Sequence, residues 1–167
     1  MYDELTGVDI QKMQEEIDRR LRERPQLIED VQTARAFGDL SENYEYKCAK
    51  QAKNRNDSRI RYLQQMIRTA RVIDAKPVQS DAVGLFDTVT IYHEGMKREM
   101  AITLVTTLRQ NALQGYISKE SPVGKAVLGR RVGDRVEVVV DSHTRYFLVI
   151  RSVEKGKDDA SLEITRY

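Results

Sequence analysis

The chain has 167 residues, 40% hydrophobic and 32% charged, and carries a formal net charge of +2 at pH 7. That is the composition of a well-solvated chain of one domain or two small ones, not disordered as a whole. It excludes a helical membrane span, since no apolar run approaches the roughly 20 residues a bilayer crossing needs, and it excludes a disulfide framework or a Cys/His zinc site, since Cys48, His93 and His143 are its only thiol and imidazoles.

The N-terminus MYDELTGVDI has neither the basic start nor the apolar centre of a signal peptide, so a cytoplasmic location is expected. Residues 8–74 contain only Pro25 and Gly38 as strong punctuation, which predicts helix, turn, helix. In the first arm Ile10, Met13, Ile17, Leu21, Ile28 and Val31 recur at helical spacing. In the second, Tyr46, Ala49, Lys53, Asn56, Ile60, Leu63, Ile67 and Ala70 follow an a/d heptad whose polar members lie nearest the turn. Two such stripes joined by a short loop bury each other as an antiparallel coiled-coil hairpin. A proline inside a helix costs about 3 kcal/mol or kinks it, so a local bend is expected at Pro25. An arm of about 29 residues is roughly 43 Å long, whereas two packed helices are only about 20 Å across. A rod with so little core beyond its seam makes sense if its tip has to reach somewhere.

The tip reads GDLSENYEY, residues 38–46. Asp39 followed three residues later by Glu42 is a variant capping box, and acids in a first turn suit the positive end of the helix dipole. Ser41 in the capping position would instead leave both acids free. The same i, i+3 spacing lets two carboxylates approach one cation. Two or three exposed carboxylates do not hold Mg²⁺ tightly, because that ion wants an octahedral oxygen shell and dehydrates reluctantly. In that case the tip completes a site that another molecule has half built. The local sequence leaves capping and chemistry both open.

The second arm is basic: Lys47, Lys50, Lys53, Arg55, Arg59, Arg61, Arg68 and Arg71 stand against only Asp57 and Asp74. It is either a solvated face or a track for phosphates. Cys48 reads as a small helix residue without a redox role. After a polar linker, AKPVQSDA at 75–82, the period changes. Strands are predicted over 88–93, 99–105, 113–118, 135–140 and 146–153, with a short helix or turn over 124–128 after Pro122, giving a small antiparallel sheet domain. The ending KGKDDASLEITRY is charged and expected to be loose, with 162–164 available as an edge strand. The fold class is therefore α+β, a helical hairpin over 1–76 followed by a β domain over 77–167.

Two stretches carry a resemblance. ARAFGDLSENYEYKCAK at 34–50 resembles the tip of the bacterial Gre transcript cleavage factors, AR-x-x-GDL-x-EN-x-EY-x-x-A, and ISKESPVGKAVLGRRVGDRVEV at 117–138 resembles the family's IS-x-x-SP-x-x-x-A-x-x-G segment. The likeness spans nearly the whole chain, and the tip motif is specific. It implies a coiled coil inserted through the secondary channel of bacterial RNA polymerase and an FKBP-like domain docked at the channel's rim helices, with the factor a monomer. It further implies that Asp39 and Glu42 help retain the second Mg²⁺ of the polymerase active centre and orient a water that cleaves backtracked RNA. That Mg²⁺ is shared with the polymerase and not held tightly by the factor alone, which is not an enzyme by itself. Asn43, Glu45 and Tyr46 match neighbouring tip positions and support it. Arg35 and Lys50, and with them Lys53, match a basic patch that guides the extruded RNA, and Glu120, Ser121 and Pro122 match the polymerase-docking loop. Tyr44 stands where the family often carries a smaller residue, packing on Phe37 or stacking on a base. FKBP-like architecture does not imply isomerase activity, and a chain with no Trp and three Phe is poorly supplied for an aromatic isomerase pocket. Two other functions compete: a channel-occupying regulator that inhibits without cleavage, and a coiled-coil adaptor with no polymerase link.

Overall fold

The computed structural model describes residues 3–38, 43–74 and 80–166. Asp39, Ser41 and Glu42, and residues 75–79 of the linker, lie outside them. The chain divides into two compact units, one of Ile10–Ala70 and the other of Asp3–Asp9 with Arg71–Arg166.

The first unit is the helical hairpin. Helix α1 runs Gly7–Ala36 and α2 runs Tyr44–Thr69. Helix α1 continues through Pro25 without a break. The carbonyl that loses a partner there belongs to Leu21, which is 46% exposed, so water can replace the missing bond. The arms are antiparallel: Glu16 meets Arg59, Arg20 meets Asn56, and Ala34 meets Asn43. The seam changes character along its length. Met13, Ile17, Ile60 and Leu63 are buried, whereas Ile28 and Val31 are only half-buried and Leu21 is exposed, so the expected apolar stripe of α1 does not close toward the turn. Between these zones the seam is ionic. Arg59, almost fully buried, donates to both oxygens of Glu16 at 3.0 and 3.3 Å, and Arg20 donates to the same carboxylate at 2.8 Å. Asn56, at a heptad position, donates to the Arg20 carbonyl and accepts from its guanidinium.

The second unit is built on strands β1 (Glu4–Thr6), β2 (Arg71–Ile73), β3 (Thr88–His93), β4 (Arg98–Val105), β5 (Tyr116–Ser118), β6 (Arg135–Val139) and β7 (Arg145–Glu154), with helix α3 (Pro122–Val127). The five-stranded sheet has the order β5-β4-β3-β7-β6. Its inward residues, among them Val89, Ile91, Leu104, Val138, Leu148 and Ile150, form one core with Val127 of α3. The sheet departs from the expected all-antiparallel one, because β5 pairs parallel with β4. The connection is long enough to bring the chain back in the same direction. It passes through two 3₁₀ turns, Thr107–Arg109 and Ala112–Gln114, and the second takes the residues expected to begin that strand. Nor does the second arm stay helical to residue 74: after Ala70, β2 pairs parallel with the unanticipated β1.

The C-terminal segment is anchored rather than loose. Ile164 is buried, and the Thr165 N–H and hydroxyl both donate to the Leu108 carbonyl; residues 162–164 form no strand. Thr6 and Asp9 form a reciprocal capping box at the start of α1, Asp9 N–H donating to the Thr6 hydroxyl and Thr6 N–H to the Asp9 carboxylate. Arg109, fully buried, donates to Asp9 at 2.6 Å, lies 2.6 Å from an oxygen of Asp158, and donates to the Asp159 carbonyl at 2.9 Å. One guanidinium thus ties the start of α1 to the C-terminal segment.

Candidate functional site

At the described edge of the tip, Asn43 is the N-cap of α2. Its Oδ1 accepts from the Tyr46 N–H at 3.0 Å, satisfying a first-turn donor that has no partner within the helix. Its Nδ2 donates to the carbonyl of Ala34 at 2.7 Å, which satisfies an end group of α1. The Phe37 N–H converges on the same oxygen at 3.3 Å. One side chain therefore closes both helix ends, and Glu45 supplies the acid that suits the first turn of α2. The cap of α2 is neither Asp39 nor Ser41. Tyr46 is half-buried one turn in, with the Lys50 ammonium 5.9 Å from its ring centre.

The basic residues of α2 divide into two sets. Arg59 belongs to the seam. Lys53 pairs with Asp57 at 2.8 Å, and Arg24 reaches the same carboxylate at 2.8 Å, so Lys53 is engaged within the hairpin. The Lys53 hydrogen bond and, against the opposing effect of burial, that of Arg24 hold the Asp57 carboxyl below its usual value. Lys47, Lys50 and Arg55 are exposed and, with Gln51, Asn54 and Ser58, line an open depression along α2 that contains no acid. Arg35 is exposed in the last turn of α1. Lys50 and Arg35 are exposed, whereas Lys53 is half-buried beside Asp57.

In the second unit the loop of Glu120, Ser121 and Pro122 is held firmly. Ser121 caps α3, accepting from the Gly124 N–H at 3.0 Å and donating to the Ser118 carbonyl at 2.7 Å, and Pro122 occupies the first turn, where it costs no hydrogen bond. Gly124 is required there, because a Cβ would lie 2.1 Å from the Ser118 oxygen. Glu120 is left exposed on this frame, with Lys119 at 3.4 Å and Lys125 at 3.9 Å, and Lys119 is also paired with Glu4. Among the described residues no three His, Cys, Asp or Glu side chains group as a metal site, and no helix is long and apolar enough to cross a membrane.

Comparison with known proteins decides the family. The models for the N-terminal part of transcription elongation factors and for the C-terminal part of GreA/GreB match residues 4–72 and 78–155. This chain belongs to the GreA/GreB family of transcription elongation factors. Among its GreA relatives, that of Thermoanaerobacter pseudethanolicus is 39% identical over 137 residues, covering 81% of this chain and 87% of its own. That of Oenococcus oeni is 36% identical over 154 residues, covering 92% and 95%. The solved structure of the transcription factor Gfh1 covers 92% of this chain and 97% of its own at 22% identity and a TM-score of 0.46. Membership of the GreA/GreB family rests on the two family models and the GreA relatives.

Proposed function

We propose that this GreA/GreB-family chain stimulates cleavage of backtracked RNA by bacterial RNA polymerase, with its hairpin in the secondary channel and Asp39 and Glu42 presented to the active centre. The observation that carries this reading is the double role of Asn43, which caps α2 and secures the end of α1. With Asn43 as the cap, α2 does not need Asp39 or Glu42 in that position, which supports reading the two carboxylates of the tip motif as ligands. They are hard oxygen donors of the kind Mg²⁺ takes, and too few to complete its shell, which fits an ion shared with the polymerase. Held there by Asp39 and Glu42 together with the polymerase, such an ion would supply an acidified water and charge stabilisation for phosphodiester cleavage.

The residues of this chain place and hold. Asp39 and Glu42 supply ligands and orient the water, with no covalent step. Lys50 and Arg35, with Lys47 and Arg55, offer positive charge to the phosphates of the extruded strand, and Lys53 serves the hairpin instead. Glu120, Ser121 and Pro122 grip the rim of the channel from a loop fixed by Ser118 and Gly124. The polymerase supplies the rest of the active centre, so the chain alone does not cleave RNA.

The test is release of short 3′ RNA fragments from a stalled, backtracked complex in Mg²⁺, with nucleotide addition followed in parallel. Fragment release that requires the chain supports the proposal. Binding that only suppresses nucleotide addition would replace it with the channel-occupying regulator.

A further inference from the structure

Two large aromatic side chains stand in solvent beside the tip. Phe37 is 77% exposed and Tyr44 76%, more than most large hydrophobic residues of the described chain. Neither ring serves the seam. Their backbones are neighbours, because the Phe37 N–H and the side chain of Asn43, the residue before Tyr44, meet at one carbonyl oxygen of Ala34. Cys48 lies one turn further along α2, and the thiol beside the Tyr44 phenol pushes its pKa up.

The charges around the pair select what would cover it. Arg35 lies two residues before Phe37; Glu45 is exposed next to Tyr44, and beyond it Lys47 and Lys50 lead into the depression, lined by no acid, that ends near Arg55 and Ser58. An apolar protein groove would be served by the two rings without this track. A single strand of nucleic acid uses both, because its phosphates follow the basic residues while unpaired bases stack on aromatic faces.

We propose that Phe37 and Tyr44 form a stacking platform for the bases of single-stranded RNA at the hairpin tip, with Lys47, Lys50 and Arg55 tracking the phosphates behind it. This deepens the proposed function, since it rests on the tip meeting extruded RNA, and it gives the two rings a positioning role. Stacking on either ring does not depend on base identity, as a factor acting on any transcript needs.

The experiment uses the full chain and a backtracked RNA polymerase complex whose extruded RNA carries 2-aminopurine at its 3′ end. Fluorescence is read on mixing, before cleavage products appear on gels, and binding is measured separately by competition with wild type. Wild type quenches the probe. At saturation Phe37→Ala and Tyr44→Ala each weaken the quenching phase about fivefold or more, while Tyr44→Phe, which keeps the ring, retains it. Wild type that gives no quenching overturns the platform. So do alanine variants that quench fully at saturation but bind the complex more weakly, an outcome that places the rings against polymerase protein. Quenching by wild type without fragment release would sustain the platform while the cleavage reading failed, and the reverse result would separate them the other way.

Discussion

Asn43 is the residue whose chemistry most shapes the tip. Its amide uses both ends, one accepting from Tyr46 and one donating to Ala34. Asn43→Ala removes both bonds and is expected to cost about 1 to 2 kcal/mol of hairpin stability. Asn43→Asp keeps the acceptor and loses the donor, so it falls between the two in thermal unfolding followed by the helical circular dichroism signal. Equal loss in both variants would place the whole effect in the bond to Ala34. Sequence could not choose this cap, because Asp39, Ser41 and Asn43 are all strong capping types within five residues. The deciding partner, Ala34, sits on the other helix. The box at Thr6 and Asp9 was not among the expectations, although T-x-x-D precedes the apolar periodic run, and the strand beside it is three residues long, too short to show a period.

Among elements, the hairpin was legible in outline and its seam was not. The heptad marked Ile60, Leu63 and Asn56 correctly but left out Arg59, whose burial depends on Glu16 of the other arm. Removing the Arg59 guanidinium by Arg59→Ala leaves a largely buried carboxylate one partner short, with an expected loss of roughly 3 kcal/mol measured by denaturant unfolding. The seam also responds to acid. Burial works to raise the Glu16 pKa, but hydrogen bonds from Arg59 and Arg20 outweigh it and leave the group below the ordinary 4.5. A carboxyl lowered in the folded state stabilises above its unfolded value and loses that contribution as pH falls through the folded one. Hairpin stability is therefore expected to hold from neutral pH to near 4.5 and to fall below it, with a shallower fall in Glu16→Gln. Parallel curves for the two proteins would remove Glu16 as the source. In the sheet, alternation fixed the strands but not the parallel return of β5, since pairing across a ten-residue connection leaves no local mark.

At the scale of the whole molecule, the distant ends of the second unit meet at Arg109. Its guanidinium holds Asp9, Asp158 and the Asp159 carbonyl in one buried cluster, and Thr6 donates to Asp158 at 2.6 Å. Thr6 and Asp158 are 152 residues apart, so no window of sequence shows the pairing. Asp9→Ala leaves Arg109 buried without one of its two carboxylates and is expected to cost about 3 to 5 kcal/mol, lowering the melting temperature by roughly 10 °C. A change of a degree or two in calorimetry would mean that Asp158 compensates.

In a GreA/GreB-family chain whose α2 is capped by Asn43, the proposed function turns on Asp39 and Glu42. The most direct measurement is the rate of 3′ fragment release from a backtracked polymerase complex in Mg²⁺ at saturating factor, comparing wild type with Asp39→Asn and Glu42→Gln. Rapid release by wild type, lost in both variants while each still competes for the polymerase as wild type does, is the predicted result. Full activity in either variant would contradict the account.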